Sequence, residues 1–433
     1  MIFPVLFLSF ILRIISLNQS LWLDEATSAI VTKMSWMDMF VKFLPNDFHP
    51  PLYYILLKLW SFLFGYSEIS LRLPSVVFGV ATVYLVYLIG KRIANKNIGI
   101  LASLFLATSG LHVYYSQEAR MYSLATFLVS SCVYFFLTKK WFLFSLFLML
   151  VGMTDYVSLF IFPAFLIARF KDWKKMLLSL IPLLTTFIFW LPIFIKQLAG
   201  GLSVEGSNWW NILGPLTFKN VVLIPVKFIL GRISLDNKIL YLLIAVIVCL
   251  FFGYILYKAT YKKSKLLWIW LITPIFLIIL ISFKIPSLSY FRLLFCLPAF
   301  YLLIAQGVNK KILIILVLLI NVSSSAMYLL NPKFHREDWR SAAVALDGEK
   351  IVFPSSSQKE ALIYYGKENQ IVSTDNLNAA DKEVWLSRYV WEIFDPSDTV
   401  RKNLENLGYN KTSENNFNGV VFWKYRKIYA YRN

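Results

Sequence analysis

The sequence predicts a polytopic α-helical membrane protein that ends in a small α/β domain. Three observations carry this reading. Of the 433 residues, 58% are hydrophobic and 15% charged, with a mean hydropathy of +0.63, where soluble domains run nearer 25% charged. Apolar stretches of near-spanning length recur from the first residue to about position 330, separated by short basic clusters. The net charge of +19 is uneven: residues 332–433 hold 15 Lys+Arg against 14 Asp+Glu, leaving 28 and 10 for residues 1–331. The basic excess therefore belongs to the apolar part, where it reports orientation and not nucleic-acid binding. Cys132, Cys249 and Cys296 each sit in an apolar run without CxxC or His-rich spacing, which excludes a disulfide framework and a cysteine-based metal site.

The stretches near 1–17, 72–90, 97–112, 121–138, 141–153, 157–168, 176–195, 239–257, 266–283, 290–307 and 312–330 read as spans. Residues 1–17 lack a small-residue cleavage site and read as a retained first span. Basic clusters lie at Lys91, Arg92 and Lys96, at Lys139 and Lys140, at Arg169 to Lys175, at Lys258 to Lys265, and at Lys310 and Lys311. If all face the cytoplasm, each interval between them holds an even number of crossings. Parity makes 141–168 cross twice, turning near Asp155, and leaves 221–233, interrupted by Lys227, as an interfacial or re-entrant segment. The expectation is about eleven spans, the N-terminus inside and the C-terminus outside.

Residues 1–331 then form the transmembrane domain, with large external loops at 18–71 and 196–238, and residues 332–433 an extracytoplasmic domain. In the latter, strand-like runs appear at 350–353, 370–373, 384–387 and 420–425. A helix is marked by Asp395 as N-cap, Pro396, the apolar face Val400, Leu404 and Leu407, and Gly408 as stop. Asn418-Gly419 reads as a tight hairpin turn. No glycine-rich phosphate loop occurs there.

Chemistry-bearing residues gather at span ends on the predicted outer side. Leu21-Trp22-Leu23-Asp24-Glu25-Ala26-Thr27-Ser28 puts two adjacent carboxylates at a membrane boundary, where they are costly unless hydrated, paired or used. Neighbours on a helix point about 100° apart, so one carboxylate can take a proton from an acceptor hydroxyl while the other orients a backbone group or a cation; an N-cap role for Asp24 is the plainer alternative. In Phe48-His49-Pro50-Pro51-Leu52-Tyr53-Tyr54 the prolines fix an extended entry to an apolar helix that should lie along the membrane surface. His49 can bond a phosphate or carboxylate, or serve only in a turn. Arg72 is expected to snorkel at a helix end. Tyr114-Tyr115-Ser116-Gln117-Glu118-Ala119-Arg120-Met121-Tyr122 sets Glu118 and Arg120 between two spans, neutralising each other or lining a site. Arg292 opens a late span on the outer side, where its guanidinium fork matches phosphate oxygens or anchors in headgroups.

At these residues the chain resembles the polytopic glycosyltransferases of the GT-C class. The nearest likeness is to family 39, the relatives of protein O-mannosyltransferases and lipid A aminoarabinose transferase. The likeness covers roughly residues 10–170, through WLDEATS, HPPLYY, RLPS and YSQEARMYSL. Arg292 with LLFCLP resembles a late Arg-Tyr-Leu-Leu-Pro pattern, with Leu293 where tyrosine is usual, and Glu337-Asp338-Trp339-Arg340 looks like the start of an external domain. The resemblance implies transfer of a sugar from a polyprenyl-phosphate carrier to a lipid, polysaccharide or protein hydroxyl, in the plasma (inner) membrane of a prokaryote. Carried over by motif, Asp24 is the base and Glu25 its acidic neighbour. His49, Tyr53, Glu118, Arg120, Tyr122 and Arg292 bind substrates, Arg292 holding the departing phosphate. A divalent metal on Asp24, Glu25, Glu118 and His49 is left open. One base without a nucleophilic partner fits single displacement with inversion. A transporter or flippase of lipid-linked saccharide precursors is the competing class; against it stand the absence of an inverted repeat and an acidic pair outside mid-membrane.

Overall fold

The computed structural model describes residues 2–203, 216–259, 261–354, 358–378 and 380–427; part of the second long loop lies outside them. Among the helices of seven residues or more, the first seven are α1 (Ile2–Ile14), α2 (Leu23–Lys33), α3 (Leu52–Phe64), α4 (Glu68–Ile93), α5 (Lys96–Thr108), α6 (Gly110–Ser116) and α7 (Tyr122–Thr138). Each stretch read as a span carries a helix. By length and composition, five described helices can cross a membrane, and six if the bent pair α5–α6 counts as one span. The others, Ile2–Ile14, Tyr122–Thr138, Trp141–Gly152, Val157–Ala168 and Leu294–Gly307, are shorter. At 1.5 Å per residue such helices fall short of a hydrocarbon core of about 30 Å. The segment predicted to be interfacial or re-entrant is the helix Phe218–Leu230.

The helix α5–α6 bends by 65° at Ser109, which frees backbone carbonyls in the interior. Each finds a donor. Asn321 Nδ2 reaches Phe105 O at 3.0 Å, Ser325 Oγ reaches Thr108 O at 2.7 Å, and the buried Arg13 reaches Ala107 O at 3.2 Å. A broken helix at membrane depth is tolerated where protein satisfies it in this way. Past the break, Gln117 Nε2 donates to Arg13 O and Ile15 O at 3.0 and 2.7 Å, which pins the loop 117–121 to the end of α1. That loop is buried throughout.

The C-terminal residues form a five-stranded sheet of β1 (Lys350–Val352), β2 (Ile371–Val372), β3 (Glu383–Ser387), β4 (Tyr409–Phe417) and β5 (Val420–Lys427), in the order β2-β1-β3-β5-β4. β1 runs parallel to β2 and β3, and β5 antiparallel to β3 and β4. Asn418 and Gly419 take φ of 49° and 98° in the β4–β5 turn, as the pair predicts. The marked helix is Thr399–Asn406 and starts later than expected. Asp395 still caps it, its carboxylate accepting from the Thr399 and Val400 amides at 2.7 and 2.8 Å. The domain seats directly on the start of α2. Tyr365 Oη accepts the Leu21 amide at 2.9 Å, the Arg340 amide donates to Ser20 Oγ at 3.1 Å, and Arg340 pairs with Glu68 at 2.7 Å.

Candidate active site

The adjacent carboxylates on α2 part company. Trp22 stands at the N-cap and Asp24 is the second residue of the helix, so the capping alternative for Asp24 is not what the chain adopts. Its carboxylate is 41% exposed and lies 3.9 Å from the Arg120 guanidinium. Glu25, one position on, is fully buried. It accepts from Arg72 Nε at 2.8 Å and Nη2 at 2.5 Å, and from the Ala119 amide at 2.8 Å. Burial alone would raise this carboxyl, but the Arg72 and Arg336 guanidiniums hold it below the usual carboxylate range.

Arg72 does not snorkel. It is fully buried in the second turn of α4, where Nη1 donates to Leu17 O and Gln19 O at 2.8 and 2.6 Å and Nη2 to Ser20 O at 2.9 Å. The turn between α1 and α2 has carbonyls without backbone partners, and the five donors of one guanidinium supply them while gripping Glu25. Glu118 is likewise buried, 3.4 Å from Arg336. Burial pushes its carboxyl up to about 7, opposed chiefly by Arg336. It underlies the site instead of facing it.

On the open side a chain of polar contacts runs away from Asp24. Arg120 Nη1 donates to Tyr54 Oη at 3.2 Å, Tyr54 donates to Asp47 at 2.8 Å, and His49 Nδ1 stands 3.3 Å from the same carboxylate. His49 then lines a cavity of about 290 Å³. Its polar wall includes Asp155, Gln197 and Arg292, and its apolar wall Phe48, Phe160, Phe194, Leu198 and Ile285. Gln197 is fixed by donating to Leu44 O at 2.7 Å and accepting from Tyr156 Oη at 2.6 Å. Arg292 makes one long hydrogen bond, 3.4 Å to Ser287 O, and has no carboxylate partner among the described residues. Tyr122 packs on Phe291 with ring centroids 5.3 Å apart, within electrostatic reach of Asp24, Arg120 and Arg292. Tyr53 is buried, its ring edge-on to Tyr54; the hydroxyl in the polar chain is that of Tyr54.

Asp47, Tyr54, Arg232 and Arg336 escaped the sequence reading. Tyr54 stood inside the HPPLYY stretch, and Asp47 two residues before its histidine. Arg336 precedes the Glu337-Asp338-Trp339-Arg340 stretch by one position. Arg232 is exposed, stacks on the Tyr114 ring at 5.0 Å, and has no carboxylate partner among the described residues. For a metal, the four residues left open as ligands do not converge: Glu25 and Glu118 face arginines below the site and His49 faces Asp47. Among the described residues no three His, Cys, Asp or Glu side chains form a metal-binding group.

Residues 48–199 match the family described as dolichyl-phosphate-mannose-protein mannosyltransferase. No curated protein matches the chain. Among solved structures, ArnT from Cupriavidus metallidurans bound to undecaprenyl phosphate is similar at 11% identity and a TM-score of 0.58, covering 98% of this chain and 97% of that one. Its apo state is similar at 10% identity and a TM-score of 0.57, covering 98% and 96%. The archaeal oligosaccharyltransferase AglB from Archaeoglobus fulgidus, solved with an inhibitory peptide and a dolichol-phosphate, is similar at 12% identity and a TM-score of 0.53, covering 97% and 73%. The chain thus shares the fold of ArnT and AglB from end to end, and its residues 48–199 match the mannosyltransferase family model.

Proposed function

We propose that the protein transfers a sugar from a polyprenyl-phosphate carrier to a hydroxyl acceptor at the extracytoplasmic face of a prokaryotic plasma membrane. The observation that carries the reading is the division of the acidic pair: Glu25 is consumed by Arg72 and Ala119, while Asp24 stands half-exposed beside Arg120. A base for an incoming hydroxyl has to be reachable; Asp24 is and Glu25 is not. Two arginines without carboxylate partners, Arg232 and Arg292, are available to a leaving phosphate, and the apolar side of the cavity beside Arg292 suits the first isoprene units. The neighbours solved with undecaprenyl phosphate and dolichol-phosphate support the same donor class.

In this mechanism Asp24 takes the acceptor proton as the acceptor oxygen attacks the anomeric carbon. The bond from that carbon to the phosphate oxygen breaks, and the phosphate leaves toward Arg292. A single displacement inverts the anomeric centre. Arg120, held by Tyr54, stands 3.9 Å from the Asp24 carboxylate and aims it. Mass spectrometry of membrane glycolipids and glycoproteins with wild type and with Asp24→Asn tests the assignment and names donor and acceptor together. Product identical in the two strains defeats it, and retention of anomeric configuration by NMR defeats the single displacement.

A further inference from the structure

We infer that Arg336 is a positioning residue of the Asp24 site, held in place by the β4–β5 turn, so that seating of the C-terminal domain sets the geometry for transfer. The inference rests on the reading of Asp24 as the base. Arg336 follows the last long helix, Lys311–Leu330, and is buried at the junction of the two parts of the chain. Its Nε lies 3.4 Å from Glu25 and its Nη2 3.4 Å from Glu118. Nη1 donates to Tyr328 Oη at 2.9 Å, and the guanidinium stacks on Tyr114 at 4.4 Å.

The backbone at this point is clasped from the domain side. Asn418 Nδ2, at the hairpin tip, donates to Arg336 O at 2.8 Å and His335 O at 3.1 Å, and the Asp338 amide donates to Phe417 O at 3.2 Å. A connected path therefore runs from Asn418 through Arg336 to Glu25 and Glu118, then through the Ala119 amide to Arg120 and Asp24. Two buried carboxylates are matched by two buried guanidiniums, Arg72 and Arg336. Without Arg336, Arg72 still pairs Glu25 but no guanidinium stands within salt-bridge distance of Glu118 among the described residues, and a buried charge left without that partner is relieved by displacement or by protonation. Displacement moves the loop 117–121 that holds Arg120, whereas protonation of Glu118 removes the charge and leaves the loop in place. The other charged groups facing Glu118 are Arg120 and Arg232, and the phenols of Tyr53, Tyr114, Tyr115 and Tyr122 complete its surroundings.

The test follows release of polyprenyl phosphate by the full-length protein in isolated membranes, which hold both the sugar-charged carrier and the hydroxyl acceptor, with turnover and KM for the carrier measured across pH. Arg336→Met is expected to lower turnover on the order of a hundredfold, the usual cost of a misplacement near 1 Å. Its residual turnover should rise as pH falls, because protonated Glu118 no longer needs the missing cation. Arg336→Met combined with Glu118→Gln should regain much of the loss and lack that acid rise. Asn418→Ala, at the exposed tip, should reduce turnover with KM unchanged. Equal losses in the single and double variants with superimposable pH profiles would overturn the inference, as would Asn418→Ala with wild-type turnover. Full turnover in Asp24→Asn would instead remove the reading beneath it, so the two failures are distinct.

Discussion

Substituting each of the adjacent carboxylates by its amide should give opposite phenotypes. In Glu25→Gln the side chain keeps its shape and its oxygen can still accept from Ala119 and from Arg72 Nε. The amide nitrogen then faces Arg72 Nη2, which now lies 2.5 Å from a carboxylate oxygen, and Arg336, 3.4 Å from the same oxygen. Removing one partner of a fully buried ion pair costs about 3–5 kcal/mol; with two of the hydrogen bonds kept, about 3 kcal/mol is expected. In Asp24→Asn the lost pair is a 3.9 Å contact whose carboxylate is 41% exposed, worth about 0–1 kcal/mol. Loss of a general base, however, lowers turnover by about 10²–10⁴-fold. Thermal unfolding in detergent by intrinsic fluorescence, beside release of polyprenyl phosphate, separates the two effects. Glu25→Gln should unfold at clearly lower temperature, and Asp24→Asn should unfold like wild type yet be nearly inactive. A Glu25→Gln protein as stable as wild type but inactive would refute this division and return Glu25 to the chemistry.

Further outcomes follow from the same geometry. Arg292→Ala should weaken binding of undecaprenyl phosphate by about 1.5–3 kcal/mol, the scale of hydrogen bonds to charged groups; titration calorimetry showing unchanged affinity removes it from the phosphate site. Tyr54→Phe breaks the link from Arg120 to Asp47 and should lower turnover by roughly tenfold without moving the unfolding temperature, and a wild-type rate would sever that link. Glu118, pushed up to about 7 in the fold, binds its proton more tightly than in the unfolded chain, near 4.3. Its stabilising contribution is present below that value and fades as pH rises through 7. The unfolding temperature of wild type should therefore fall relative to Glu118→Gln between mildly acidic and neutral pH; parallel curves would contradict it.

The eleven apolar stretches announce helices because nothing but a helix satisfies the backbone of such a run, and each is a helix. The brevity of 141–168 is visible in the sequence, but the break at Ser109 was not legible, since it depends on donors far away in the chain, Arg13, Asn321 and Ser325. In the C-terminal domain, four strands were visible as apolar runs. β4, Tyr-Asn-Lys-Thr-Ser-Glu-Asn-Asn-Phe, was not, because an exposed edge strand has no buried face to encode. Arg72 was misjudged for a related reason. At a helix end an arginine looks like an anchor, and only the fold discloses three unpaired carbonyls and Glu25 waiting for it.

The same logic explains why the local pairing of charges could not be guessed. Glu118 and Arg120 are two residues apart and could neutralise each other, yet in the folded chain each makes its closest charged contact elsewhere. Glu118 meets Arg336, 218 residues on, and Arg120 meets Asp24 and Tyr54. Glu25 and Glu118 are each matched to an arginine, and Asp47 to His49 and Tyr54. After these commitments, Asp24 is the accessible carboxylate of the group, and Arg232 and Arg292 are cations without a salt bridge among the described residues. On the proposed function, a sugar phosphodiester would supply what such a remainder lacks: an anion for these guanidiniums, and beside it an electrophilic carbon for a hydroxyl activated by Asp24. A transported lipid would use the two arginines but give Asp24 nothing to do. Turnover that depends steeply on Asp24 while carrier affinity depends on Arg292 is therefore the pattern that distinguishes transfer from transport.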